Sequence, residues 1–248
     1  PEKVAGFKNG GIGNQGPAIS LDRGKTWKWM GTEQVEENTF SYDFAKAGDT
    51  VRFAVTIPYV ESDLDTFLEA HAGNAHLKRS VLTKSRDGRE VELLQIGAPG
   101  PDLRPMLVTC RHHAAETMAS YLLEGFLAEA LSDSEEGKAF RDRFVLTVVP
   151  FVDKDGVEKG DQGKNRKPHD HNRDYKGDSI YPSVAEIRSF VPRWSQHKLS
   201  VGIDLHCPWI RGTHNEVIYM VGKPDTKTWE RQVAFGKVLE RVQCGPLK

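Results

Sequence analysis

The chain has 248 residues, enough for one large or two small domains at roughly 100–200 residues each. Lys and Arg total 34 against 35 Asp and Glu, a net charge of −1, which excludes the electrostatic footprint of a general nucleic-acid binder or a polybasic membrane binder. Apolar residues make up 38%, sufficient for a sizeable core, yet no run reaches the ~18 apolar residues that a membrane span needs.

The first fifty-odd residues read as β-structure. Ser20-Leu-Asp22-Arg-Gly24-Lys-Thr26-Trp27 has the pattern S-x-D-x-G-x-T-W of an Asp-box hairpin, in which Asp caps turn amides, Gly takes an unusual φ and Trp packs beneath the turn. A single copy reads as a structural hairpin rather than a sugar site. Phe40, Tyr42 and Phe44 alternate with polar residues, and Val51, Phe53, Val55 and Ile57 do so across Thr50–Ile57, the period-2 pattern of strands with one buried face. Pro58 and Ser62-Asp-Leu-Asp65 break the pattern, and Ser62 is the expected N-cap of a short helix through His71, closed by Gly73. Arg79–Ser85 and Glu90–Ile96 flank the hairpin signal Arg86-Asp-Gly-Arg89.

Beyond that point strands and helices alternate. Met106–Cys110 is a short apolar strand. Thr117–Leu131 carries Ala119, Leu122, Leu123, Phe126 and Leu127 at helical spacing, and Phe144–Val149 is a second strand. Ser183-Val-Ala-Glu186 is a capping box predicting a helix to about His197, Leu199–Leu205 is a third strand, and Asp225 to about Val242 is a last amphipathic helix. The prediction is a small β domain over residues 1–60, then an α/β domain over 61–248 with a mixed, mostly parallel sheet and helices on both faces. Three cysteines, Cys110, Cys207 and Cys244, make no disulfide framework, and the opening PEKVAGFKNG lacks an apolar signal core, so a cytoplasmic location is expected.

Ligands of open α/β sheets sit beyond the carboxyl ends of the strands. Arg111-His112-His113-Ala-Ala-Glu116 follows the first of these strands. A polar stretch from Asp153 to Tyr181, with Asn165-Arg166 and Asp170-His171-Asn172-Arg173, follows the second. His206-Cys207 follows the third. His113, Glu116 and His206 offer two imidazoles and a carboxylate, a catalytic zinc set that leaves a position for water. His112 competes with His113, and the three-residue spacing to Glu116 favours His113. Cys110 and Cys207 raise a thiolate-rich alternative but have no C-x-x-C partner, and they read as small buried residues. Arg166 and Arg173 can grip a carboxylate with paired hydrogen bonds, and Asn172 adds an amide donor. Asp170 is either a solvated loop residue or the acceptor behind a ligand histidine.

These residues resemble the zinc metallocarboxypeptidase family, especially its cytosolic-carboxypeptidase-like branch, over roughly Thr50 to Gly222. His113-x-x-Glu116, His206 in Asp204-Leu-His206, Pro150-Phe-Val-Asp-Lys-Asp155-Gly156 and Asn172-Arg173 carry the likeness, and Ile57–Leu64 resembles the segment joining the branch's two domains. The resemblance implies an N-terminal β-sandwich before the catalytic domain and one zinc ion on His113, Glu116 and His206. It further implies Arg166 at the oxyanion, Asn172 and Arg173 on the substrate carboxylate, Asp170 behind a zinc histidine, and a peptide or protein C-terminus as substrate. Two departures stand out. The family's usual H-P-G-E is His113-Ala-Ala-Glu116, and no remaining acid, whether Glu216, Glu230 or Glu240, matches the general-base Glu, so a catalytic domain incomplete at its C-terminus is expected. An N-acyl amino-acid amidohydrolase on the same scaffold, or a peptide-binding module without the base, would use the same residues.

Overall fold

The structure is a computed structural model that describes residues 15–36, 39–98, 100, 102–207, 220–222 and 225–244. The chain divides into two compact units, one of Pro1–Val55 with Trp209–Lys248 and one of Thr56–Pro208.

In the first unit β1 (Ala18–Ser20) turns into β2 (Lys28–Trp29) through the Asp-box. Asp22 accepts the Thr26 amide and hydroxyl at 2.9 and 2.6 Å, Gly24 sits at φ 96°, and Trp27 Nε1 donates to Gly24 O at 3.0 Å. The turn is therefore held by its own polar groups, as the motif predicts. β3 (Val35–Glu36) and β4 (Thr39–Phe40) form a two-stranded ladder, and β5 (Arg52–Ala54) pairs antiparallel with β1. β5 is shorter than the predicted strand. Its alternation does not mark a buried face, because Phe53 and Val55 are exposed, and Phe53 packs instead against the rings of Phe40 and Tyr42 at 4.9 and 5.3 Å. These short ladders do not by themselves make a sandwich.

The second unit opens with α1 (Glu61–Ala70). Its N-cap is Val60, whose amide donates to the Asp63 carboxylate at 2.7 Å, so the expected cap, Ser62, lies inside the first turn. β6 (Leu77–Lys84) and β7 (Glu90–Ile96) form the predicted hairpin, with Gly88 at φ 82° in its turn. β8 (Arg104–Cys110) and α2 (Met118–Leu131) follow, then α3 (Glu135–Arg141), an unpredicted helix that Ser134 caps by accepting from Gly137 N at 2.9 Å. After β9 (Phe144–Val149) comes α4 (Lys154–Lys159), another unpredicted helix, capped by Asp153 and closed by Gly160 at φ 71°. A single 3₁₀ turn spans His171–Arg173, and α5 covers Pro182–Trp194. No side-chain capping box starts α5: Tyr181 is the N-cap, Pro182 supplies the pre-set φ of a first helical residue, and Ser183 is buried. β10 (Val201–Leu205) completes the sheet. In the first unit α6 (Thr226–Val242) begins at Asp225, which accepts from Thr228 N at 2.8 Å. The sequence Glu216–Val221 also looks like a strand, and it falls mostly outside the described residues.

The sheet order is β10-β8-β9-β7-β6. β10, β8 and β9 run parallel, whereas β7 is antiparallel to β9 and β6 to β7. Among the described residues the sheet is thus evenly mixed rather than mostly parallel, because the β6–β7 hairpin joins at its edge. Alternate residues of β7 divide between two cores, as period 2 requires. Leu94 and Ile96 join Leu64, Leu123 and Leu127 from α1 and α2, while Val91 and Leu93 join Val184 and Ile187 from α5. Helices therefore cover both faces. The register pairs Leu205 with Cys110 and Thr109 with Val149, so the three parallel strands end together at one edge.

Candidate metal centre

The turn after β8 is built around Arg111, at φ 58° and with a buried side chain. Its guanidinium folds back to donate from Nε to Ala114 O, and from Nη1 to Tyr59 O and Ser120 Oγ, each at 3.0 Å; Nη2 also contacts Ala114 O. The carbonyl in the middle of His113-Ala-Ala-Glu116 is thereby fixed from inside. From the other side Gln162 O accepts from Ala115 N at 3.2 Å. Gly163 follows at φ 87°, so close that a Cβ there would lie 2.3 Å from Ala114 N. Only glycine satisfies both conditions. The clamped turn buries His113 and Glu116 and places His113 Nδ1 2.9 Å from Glu116 Oε1.

His206 arrives from the end of β10. Its Nδ1 lies 2.7 Å from Glu116 Oε2, its ring centroid is 4.9 Å from that of His113, and the Cys207 amide donates to Glu116 Oε2 at 3.0 Å. One donor atom from each of His113, Glu116 and His206 lies within 4.8 Å of the others. Burial alone would raise the Glu116 carboxyl, but the hydrogen bonds from His113 and His206 outweigh it and bring it down to about 2. Burial would lower His206, yet Asp204 and Glu116 push it up to about 10. In both cases the site is short of positive charge.

The donor set fits zinc. Two imidazoles present Nδ1 to the same carboxylate, and the far nitrogen of His206 meets a second carboxylate, the arrangement that fixes tautomer and orientation in metal-ligand histidines. His206 Nε2 is 2.7 Å from Asp204 Oδ2. His113 Nε2 is buried without a hydrogen bond and is 3.8 Å from Asp170 Oδ2. Asp170 also caps the 3₁₀ turn, its Oδ1 accepting from Arg173 N at 3.1 Å.

The remaining predicted residues are placed as follows. His112 turns away from Glu116, with Nδ1 2.8 Å from Asp204 Oδ1 and Nε2 2.8 Å from Tyr175 Oη. Asn172 Nδ2 lies 2.8 Å from His206 Nε2 and donates to Asp204 Oδ2 at 3.3 Å, so its amide meets the candidate ligand itself. Arg173 is exposed. Arg166 is engaged by carboxylates, donating from Nε and Nη2 to Asp153 Oδ2 at 2.9 and 2.5 Å and from Nη2 to Asp161 Oδ2 at 3.1 Å. Neither arginine hydrogen-bonds to the ligand trio among the described residues. Burial pushes the Cys110 thiol up to about 12, burial followed by the Glu116 charge raises Cys207, and neither cysteine belongs to a group of possible metal ligands among the described residues. Glu230 and Glu240 lie on α6, in the other unit, and Glu216 lies outside the described residues. The residue that sequence reasoning missed is Asp204. Its signal was available, since it precedes His206 by two positions at a strand end and shares its face.

Residues 60–223 match the sequence model of the zinc carboxypeptidases, Peptidase_M14. The chain belongs to this family. It is 30% identical over 210 residues to cytosolic carboxypeptidase 2 of Xenopus tropicalis, covering 78% of this chain and 21% of that protein. It is 28% identical over 194 residues to cytosolic carboxypeptidase 3 of Mus musculus, covering 74% of this chain and 19% of that protein. The chain thus spans about a fifth of the length of these relatives. A metallo-carboxypeptidase from Burkholderia cenocepacia superposes with a TM-score of 0.70 at 20% identity, over 94% of this chain and 63% of that one. One from Pseudomonas aeruginosa superposes at 0.64 and 22% identity, over 79% of this chain and 52% of that one. Both likenesses are of fold. No helix among the described residues is long and apolar enough to cross a membrane.

Proposed function

We propose that this chain carries the zinc centre of a metallocarboxypeptidase that removes the last residue of a peptide or protein. The observation that supports this most is the convergence of His113 Nδ1 and His206 Nδ1 on the two oxygens of Glu116, at 2.9 and 2.7 Å. Zinc bound there would supply a water of pKa near ~7 and a Lewis acid for the scissile carbonyl. The protein's own part is to hold and orient. His113, Glu116 and His206 are the ligands; Asp204 keeps the far nitrogen of His206 protonated so that Nδ1 faces the metal, and Asp170 stands behind that of His113 at 3.8 Å. Arg166 would polarise the carbonyl, with its orientation set by Asp153 and Asp161. Arg173 would grip the free carboxylate of the substrate, which restricts cleavage to the terminal bond. Asn172 shares that duty from its place beside His206. In this reading residues 61–248 form the catalytic domain, residues 1–60 an accessory β-sandwich domain, and the protein works in the cytoplasm.

The test is a paired assay on zinc-loaded protein, using one peptide with a free C-terminal carboxylate and the same peptide amidated. Release of the terminal residue from the free acid alone, lost with a chelator and restored by zinc, is the expected result. Equal cleavage of both peptides overturns the carboxylate clamp, and binding without product overturns catalysis by this chain.

A further inference from the structure

His112 is adjacent to a candidate ligand and, with Asp204 and His206, forms a second group whose donor atoms lie within 4.8 Å of one another. Its ring is 2% exposed. Nδ1 lies 2.8 Å from Asp204 Oδ1, close enough for an ion pair but without a well-aligned hydrogen bond to any described residue, and Nε2 lies 2.8 Å from Tyr175 Oη. Asp204 is also 2.7 Å from His206 Nε2 through its other oxygen, and its Oδ1 accepts from Thr109 Oγ1 at 2.9 Å. An ionised carboxylate only accepts, so each imidazole facing Asp204 must be the donor on that side. For neutral His112 this puts the proton on Nδ1. Nε2 is then left as an acceptor, and the Tyr175 hydroxyl is the donor that completes it. The contacts in the series Tyr175–His112–Asp204–His206 therefore run in one sense, with the Tyr175 hydroxyl donating to His112 Nε2 and both imidazoles turning an N–H toward Asp204.

The series also links separate parts of the fold. Asp204 belongs to β10, His112 follows β8, and Tyr175 lies two positions beyond Arg173, just past the 3₁₀ turn. We propose that His112 is a positioning residue with two separable duties: through Nδ1 and Asp204 it orients His206 for the metal, and through Nε2 and Tyr175 it holds the segment bearing Arg173 in place for the substrate carboxylate. This rests on the zinc carboxypeptidase reading above.

The two ring nitrogens can be replaced one at a time, because an Asn amide reaches the place of Nδ1 and a Gln amide the place of Nε2. The zinc dissociation constants of His112→Asn, His112→Gln and Tyr175→Phe are measured by competition with a chromophoric chelator. Affinity for a fluorescein-labelled alanine peptide with a free C-terminus is read by polarisation on the zinc-loaded protein. His112→Asn should keep zinc affinity within about twofold and weaken peptide binding about fivefold, the loss of one neutral hydrogen bond, and Tyr175→Phe should do the same. His112→Gln should weaken zinc about tenfold, as loss of an outer-shell partner does, and leave peptide affinity closer to that of the parent. If the Asn and Gln variants behave alike, or if all three change only the melting temperature, His112 is a structural histidine and the inference fails. His206→Ala serves as the control: if it retains full zinc, the ligand assignment itself is wrong, whereas loss of zinc there with inert His112 variants overturns this inference alone.

Discussion

The two sides of the candidate centre reach the same geometry by different means. His113 and Glu116 sit in one four-residue turn that is buried and gripped through its backbone by Arg111 from within and by Gln162 O, with Gly163 packed against it, from without. His206 comes from a strand end, keeps about a quarter of its side chain exposed, and is held by side chains: Glu116 and Asp204, the latter also taking a hydrogen bond from Asn172. The first arm is preorganised by folding, so its position depends on packing and backbone hydrogen bonds. The second depends on polar contacts close to solvent. Damage to the first arm should therefore appear as lost stability together with lost zinc, and damage to the second as lost zinc alone.

The largest expected effect does not distinguish the arms and sets the scale for the rest. His113→Ala and His206→Ala should each leave the protein with essentially no zinc after dialysis, by metal analysis, because two remaining ligands do not make a site. Their unfolding midpoints should separate them, with His113→Ala lowering the apo protein's stability more than His206→Ala. Next comes Arg111→Met. It leaves the carbonyls of Ala114 and Tyr59 buried without their charged donor, and a loss of about 3 kcal/mol in urea unfolding is expected. If Arg111→Met unfolds like the parent but releases zinc, the first arm is not set by folding and the contrast collapses. Gly163→Ala should follow, at about 1–3 kcal/mol, since it combines a left-handed φ with a clash against Ala114 N.

The same contrast explains what the sequence disclosed. The convergence of His113, Glu116 and His206 was legible because His113 and Glu116 carry their spacing in one turn and because parallel strands deliver their following loops to one edge. The Asp-box was legible because its turn is closed by its own residues. Ser62 and Ser183 misled as caps for one reason: a cap is a backbone conformation before it is a side chain. At those helices Val60 and Tyr181 already hold the extended conformation, with Asp63 or Pro182 completing the start. The α3 and α4 helices are one or two turns long, too short for periodicity to register, and their starts are set by the caps Ser134 and Asp153. The commitments of Arg166 to Asp153 and of Asn172 to Asp204 depend on tertiary placement within the long Asp153–Tyr181 stretch, which no local pattern encodes.

The smallest effects sharpen the comparison most, because they fall on the two carboxylates behind the two histidines. Asp204 meets His206 Nε2 at 2.7 Å, a full hydrogen bond, and Asp204→Asn should weaken zinc by about 10–100-fold with little change in unfolding. Asp170 stands 3.8 Å from His113 Nε2, beyond hydrogen-bond range, and the turn already fixes that ring. Asn caps a helical turn about as well as Asp, so Asp170→Asn preserves the 3₁₀ turn and any change in zinc affinity reports on His113 alone. A loss of about threefold or less is expected, from chelator competition on the same protein preparation. A loss as large as that of Asp204→Asn would show that zinc binding draws Asp170 into contact with His113. The buried arm would then depend on side-chain support as much as the exposed one does.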